Sequence, residues 1–276
     1  MRKEWIKQYK NADFEENEAI AEIDFAIEAI TSFSRMDLLK DAQISDFDRQ
    51  KIQKIIYERL KTRRPLAQLL RCAFFAGKKF KVSEDTLIPR PETELLVEKS
   101  VELIKKYDYK QVLDIGTGTG CIACMVALKT DAQVLGIDIS TGALRCALDN
   151  AMGMGLMNRA LFRKSDIFSN IQEKFDLIIS NPPYIPLSEK ENLQIEVRDY
   201  DPACALFTSD EKGIEFYEKI AKEAKNHLNP AGALAFELGI GQYEDVSRIL
   251  CENGFSNIEI YKDLGGIERV ITAQNE

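Results

Sequence analysis

Histidine is nearly missing from this 276-residue chain, and His227 is the only one. That shortage all but excludes histidine-based triads and polyhistidine metal sites. No apolar run approaches the roughly 18 to 20 residues of a membrane span. The opening "MRKEWIKQYKNADFEENEAI" lacks the apolar core of a secretion signal. A cytoplasmic protein without membrane contact is therefore expected. Paired cysteine motifs are scarce too. Cys121-x-x-Cys124 has redox or metal spacing but no second pair near it. It falls where a helix should start packing on a sheet, so two small buried side chains are the expected reading, and no metal site. His227, in "AKNHLNPAG", stands late in an expected helix before a Pro/Gly stop.

Positive charge is in deficit: 37 Lys and Arg against 45 Asp and Glu leave a net charge of −8. This balance argues against nucleic acid as the partner. One local exception is "DRQKIQKIIYERLKTRRP", which carries Arg49, Lys51, Lys54, Arg59, Lys61, Arg63 and Arg64. It reads either as a solvated helix face or as a docking surface for an acidic partner.

What is present divides into three stretches. Residues 1–70 read as a small all-helical domain. Ile20, Ile23, Ile27 and Ile30 form one apolar stripe, and Ile52, Ile55, Ile56 and Leu60 form another. Residues 71–90 read as a linker, with aromatic runs either side of Gly77 that suggest a hairpin. From residue 91 to 276 a helix opens at "PRPETELLVE", and then apolar strands and amphipathic helices alternate. That alternation means an α/β domain with a mainly parallel, doubly wound sheet. The last two strands, joined by "LGG" with no room for a helix, should pair antiparallel.

"VLDIGTGTG" is a strand, the acid Asp114, then Gly116, Gly118 and Gly120 leading into a helix. Alternate glycines let a backbone turn tightly against a ligand. Asp138 ends the next strand, where a carboxylate accepts ribose hydroxyls. Asp166, after a third strand, is placed for an adenine amine, with Ile167 beside the ring. Three successive strand ends of this kind point to adenosine binding. The succession resembles class I S-adenosylmethionine-dependent methyltransferases, whose Rossmann-like seven-stranded sheet ends in an antiparallel hairpin.

The fourth strand, "FDLIIS", runs into "NPPYIP". Two prolines cannot continue a ladder, since neither has a backbone N–H. They make a rigid shelf at the carboxyl end of a strand, where such sheets bind ligands. In methyltransferases with this tetrapeptide the substrate is a planar nitrogen of adenine, guanine or glutamine. The resemblance implies that the Asn181 side-chain oxygen and the Pro182 carbonyl accept both hydrogens of an NH2 group. Pro183 would stiffen the shelf, and Tyr184 would pack over the substrate plane.

"TLIPRPETELLVE" together with these two motifs resembles the release factor glutamine methyltransferases (the PrmC or HemK family), over nearly the whole chain. The family methylates the glutamine of the Gly-Gly-Gln loop of class I peptide chain release factors at N5. The resemblance implies that Gly116, Thr117, Gly118, Thr119, Gly120, Asp138, Asp166, Ile167 and Asn181 hold S-adenosyl-L-methionine. Asn181, Pro182, Pro183 and Tyr184 would hold the glutamine, with Arg90 and Glu92 bordering the mouth. The helical domain would dock the release factor, and a monomer is expected. The chain departs from the family pattern at Gln68, where an aromatic is usual, and at Arg71, where glycine is usual. Two other readings remain open: a DNA adenine or ribosomal RNA methyltransferase, and a non-catalytic adenosine-binding module.

Overall fold

The computed structural model describes residues 1–33, 37 and 43–275. Residues 34–36 and 38–42, within the stretch expected to be helical, lie outside the described residues. The chain divides into two compact units, Met1–Cys72 with Ile195–Tyr200, and Ala73–Gln194 with Asp201–Glu276. The expected span 91–276 is thus interrupted, because Ile195–Tyr200 group with the helices.

In the helical unit, α1 (Arg2–Lys10), α2 (Glu16–Thr31), α3 (Asp46–Thr62) and α4 (Leu66–Leu70) follow one another. Ser45 starts α3: its hydroxyl accepts from the Asp48 N–H, and Asp46 and Asp48 sit at the positive end of the helix dipole. The apolar stripes meet in one core, with Ile23, Ile27, Ile52 and Ile56 buried around Trp5 and Tyr9. Arg59 departs from its expected place on a basic face. It is buried, and its guanidinium donates to the carboxylates of Glu22 and Glu196. Arg63 pairs with the same Glu196 carboxylate at 2.8 Å. Arg49, Lys51, Lys54 and Lys61 remain exposed.

In the other unit, β1 (Cys72–Phe75) and β2 (Lys78–Lys81) form the hairpin around Gly77. There follow α5 (Thr93–Tyr107), β3 (Gln111–Ile115), α6 (Cys121–Lys129), β4 (Gln133–Asp138), α7 (Thr141–Gly153), β5 (Ala160–Lys164) and β6 (Phe175–Ser180). A short ladder of β7 (Ile185–Pro186) and β8 (Phe207–Thr208) comes next, then α8 (Glu215–His227), β9 (Leu228–Glu237), α9 (Tyr243–Glu252), β10 (Phe255–Lys262) and β11 (Glu268–Asn275). Seven strands make one sheet in the order β10-β11-β9-β6-β3-β4-β5. The pairs β10–β11 and β11–β9 are antiparallel, and the rest are parallel.

Strand periodicity feeds two cores, one on each face of the sheet. Val112, Leu177 and Ile179 enter one; Leu113, Ile178 and Phe236 enter the other. Each such fully buried side chain is worth about 1.5–3 kcal/mol relative to exposure. Strand order reverses at β3: β4 and β5 extend to one side, β6 and β9 to the other. That reversal opens a crevice at the carboxyl ends of β3 and β6, where ligands bind in such sheets.

Candidate active site

A cavity of about 370 Å³ lies in that crevice. Gly116, Thr117, Gly118 and Thr119 wall it, with Asp138, Asp166, Ile167, Asn181, Pro182, Pro183 and Arg90. Gly116 and Gly118 have φ of +73° and +54°, and the space their Cβ atoms would enter is open. The loop is therefore a bare backbone surface facing the cavity. Gly120, expected to hold the cofactor, is not among the cavity-lining residues. A Cβ there would meet that of Ala147 at 2.9 Å, so this glycine lets α6 and α7 approach each other.

Asp114 is fully buried beneath the loop. One carboxylate oxygen accepts from the Thr117 hydroxyl at 2.6 Å, and the other has no hydrogen-bond partner among the described residues. Burial pushes its pKa up to about 7. Asp138 is oriented by two backbone donors, Gly118 N–H at 2.9 Å and Ser140 N–H at 2.8 Å, one on each oxygen. Each oxygen keeps a free lone pair, as two ribose hydroxyls require. Burial raises this carboxyl too, and the backbone donors oppose it. Ile167 holds a φ of +47°, strained for a β-branched residue, and its carbonyl accepts from the Ser165 hydroxyl at 2.8 Å. Asp166 is exposed at the rim. Cys121 and Cys124 are free thiols pushed up to about 12 by burial, the opposite of a reactive pair.

At the shelf, the Asn181 NH2 donates to the Thr93 hydroxyl at 3.3 Å. Its carbonyl oxygen is then the end presented to the cavity. Tyr184 takes a different place from the one expected over the substrate plane. It is not among the cavity-lining residues; it packs on the core shared by Tyr217 and Phe236, and its carbonyl accepts from the Gln242 amide at 3.0 Å. Burial pushes its phenol up to about 12. Arg90 lines the cavity but is engaged by Asp201 at 2.6 Å, and Glu92 is exposed and off the cavity wall. Thr93, Cys204, Phe207, Phe216 and Lys219 are among the further lining residues that were not foreseen. Thr93 follows directly on Glu92, in a segment whose acids drew attention instead.

A seven-stranded sheet of this order, with its bare glycine loop and proline shelf, defines a methyltransferase of the class I type. Residues 91–197 match the methyltransferase small domain family. The release factor glutamine methyltransferase of Fusobacterium nucleatum is 42% identical over 236 residues, covering 84% of this chain and 66% of that protein. That of Clostridium acetobutylicum is 39% identical over 217 residues, covering 77% of this chain and 76% of that protein. The chain thus spans just under two thirds of the length of the first. A ribosomal protein L11 methylase from Lactobacillus delbrueckii subsp. bulgaricus superposes with a TM-score of 0.51 at 21% identity, over 68% of this chain and 81% of that one. The chain belongs to the release factor glutamine methyltransferase family. Its methyl donor is S-adenosylmethionine. The residues present fit that group: a glycine cradle, a carboxylate with two free lone pairs, and one orphaned buried carboxylate oxygen at Asp114.

Proposed function

We infer that the protein methylates the side-chain amide nitrogen of the glutamine in the Gly-Gly-Gln loop of class I release factors, in the cytoplasm. The observation that carries this reading is the Asn181 amide, anchored through its NH2 so that an acceptor faces the cavity. When bound, S-adenosylmethionine supplies a methyl group on a positively charged sulfur. The Asp138 carboxylate would take the ribose hydroxyls, Asp166 the adenine amine, and Ile167 the ring face. An amide nitrogen is a poor nucleophile because its lone pair is delocalised. The Asn181 oxygen and the Pro182 carbonyl together accept both of its hydrogens and turn its π lobe to the donor. Both acceptors also favour the positive charge that grows on the nitrogen during transfer. No side-chain base is needed, since the N-methylated amide cation is a strong acid and gives its proton to water.

A Gly-Gly-Gln loop alone offers little contact surface, so affinity for the release factor must come from elsewhere. The helical unit supplies an exposed face of Phe47, Lys51, Lys54, Tyr57 and Lys61. We assign docking to that face, without Arg59 and Arg63. The test is transfer of labelled methyl from S-adenosylmethionine to intact release factor, to its glutamine-to-alanine variant, and to DNA and ribosomal RNA. Label on intact release factor alone is the expected result. Label on either nucleic acid, or on the variant equally, overturns the reading.

A further inference from the structure

One buried carboxylate is left without a task by the chemistry above. Glu237 is the last residue of β9, at the end of the apolar run "ALAFE", and is 2% exposed. In the parallel register Ser180 lies beside Phe236, so Asn181 and Glu237 follow side by side at the carboxyl ends of β6 and β9. One Glu237 oxygen, Oε2, has no hydrogen-bond partner among the described residues. Thr93, buried at the start of α5, accepts from the Asn181 NH2. A hydroxyl that accepts one hydrogen bond still has its own proton to donate.

We propose that Glu237 is a positioning residue for methyl transfer: through Thr93 and the Asn181 NH2 it holds the Asn181 oxygen toward the substrate nitrogen, a role that presupposes the amide substrate inferred above. A primary amide has an accepting end and a donating end of nearly equal shape. Flipped, Asn181 would present hydrogens to an NH2 group and repel it. An ionised carboxylate accepts hydrogen bonds and donates none, so it forces the Thr93 proton and the Asn181 NH2 to point its way. Burial pushes its pKa up to about 7, and the neighbouring Thr93 and Asn181 side chains oppose that by favouring its charged form. The negative charge behind Asn181 also favours the cation that forms on the substrate side.

The other charged or titratable neighbours are few. Arg269, on β11, lowers the Glu237 pKa, and Glu92 raises it. Tyr184 and Cys121 are held neutral by burial, each pushed up to about 12, and burial raises Tyr217 well above its ordinary value. Two more carboxyls near the cavity are raised toward neutrality by burial: Asp114 beneath the glycine loop, to about 7, and Asp201 against Arg90, to about 6. Protonation of Glu237 would let the Asn181 amide turn, so turnover should fall as the pH drops through neutrality.

Glu237→Gln keeps the shape and removes both the charge and the acceptor-only character. The expected result is a loss of about 10-fold or more in kcat on release factor, with KM for both substrates within about twofold. The acid limb of the kcat–pH profile should vanish in this variant. Thr93→Val should lose kcat in the same way, and Thr93→Ser should recover most of it. This second pair decides the matter if Glu237→Gln does not fold. A carbon-13 carboxyl titration of the protein without substrates should show Glu237 changing charge near neutrality. Unchanged kcat in Glu237→Gln, or a lowered kcat with the acid limb intact, overturns the proposal. Wild-type protein that fails to methylate release factor removes its premise instead, so the two failures are told apart.

Discussion

Arg59 in the helical unit and Glu237 in the sheet unit are equally buried, each 2% exposed, yet the surroundings treat them differently. The Arg59 guanidinium donates to Glu22 through two nitrogens, to Glu196, and to the Arg63 carbonyl at 2.8 Å, and it lies over the Phe14 ring. Its charge is balanced and its donors are used. Glu237 and Asp114 each keep one oxygen without a partner among the described residues, and burial holds both near a pKa of 7. A buried ion kept for architecture is paired. A buried acid left half-unpaired at a strand's carboxyl end is held at a cost, and its location beside the cavity indicates what the cost is for.

The largest effect should come from breaking the paired side. Arg59→Ala would strand the Glu22 carboxylate, leave Glu196 to Arg63 alone and open a void, costing about 3–5 kcal/mol of stability in the helical unit. Trp5 is the only tryptophan, buried and hydrogen-bonded to Gln53 at 2.7 Å, so its fluorescence reports this unit. Urea titration should show an early Trp5 transition while the sheet unit still binds S-adenosylmethionine. A Trp5 transition at the wild-type urea concentration would mean that the ion network is incidental.

On the other side, Asn181→Ala removes one of two acceptors for the substrate NH2. Methyl transfer should fall by about 10²-fold, the scale of one lost transition-state contact. Binding of S-adenosylmethionine, measured calorimetrically, should change far less, because Asp138 and the glycine loop are intact. Near-normal turnover would remove Asn181 from the chemistry.

A smaller effect separates cost from benefit at Asp114. Its folded pKa lies above the ordinary carboxylate value of 3.8, so the folded protein keeps a proton that the unfolded chain releases. Stability therefore falls as pH rises from about 4 to about 7 and stays low above that. Asp114→Asn is neutral throughout and should flatten this decline, raising stability at about pH 8 by on the order of 1 kcal/mol or more. Affinity for S-adenosylmethionine should weaken at the same time. A variant less stable than wild type at every pH would show that the carboxylate is structural.

The sheet was legible because strand and helix periods are written locally. "QVLDI" and "FDLIIS" read as buried parallel strands, and "LGG" left no room for a crossover helix. Asn181, Asp138 and the glycine loop were legible because each ends such a strand. Pairings between distant segments were not. Glu237 meets Asn181 only through sheet register, and Arg59 meets Glu196 across 137 positions. In sequence, Arg59 stands among six other cations with nothing to set it apart. Tyr184 follows two prolines and was expected over the substrate plane; which way it turns depends on the core beside Tyr217, far along the chain.

Arg71 carries the finest version of the comparison, an uncompensated cost with no site beside it. It caps α4 with φ +53° and ψ +33°, the left-handed conformation that explains why glycine is usual there. Its side chain is exposed. An L-residue pays about 1–2 kcal/mol in this conformation, and glycine pays almost nothing. Glycine also loses more backbone freedom on folding, which returns about 0.5–1 kcal/mol of the gain. Arg71→Gly should therefore stabilise the helical unit by about 0.5–1 kcal/mol, read from the Trp5 transition in urea. Arg71→Ala, which deletes the same long side chain but keeps the Cβ, should bring no such gain. If alanine stabilises as much as glycine, the backbone at residue 71 is not the source of the cost, and the arginine side chain is.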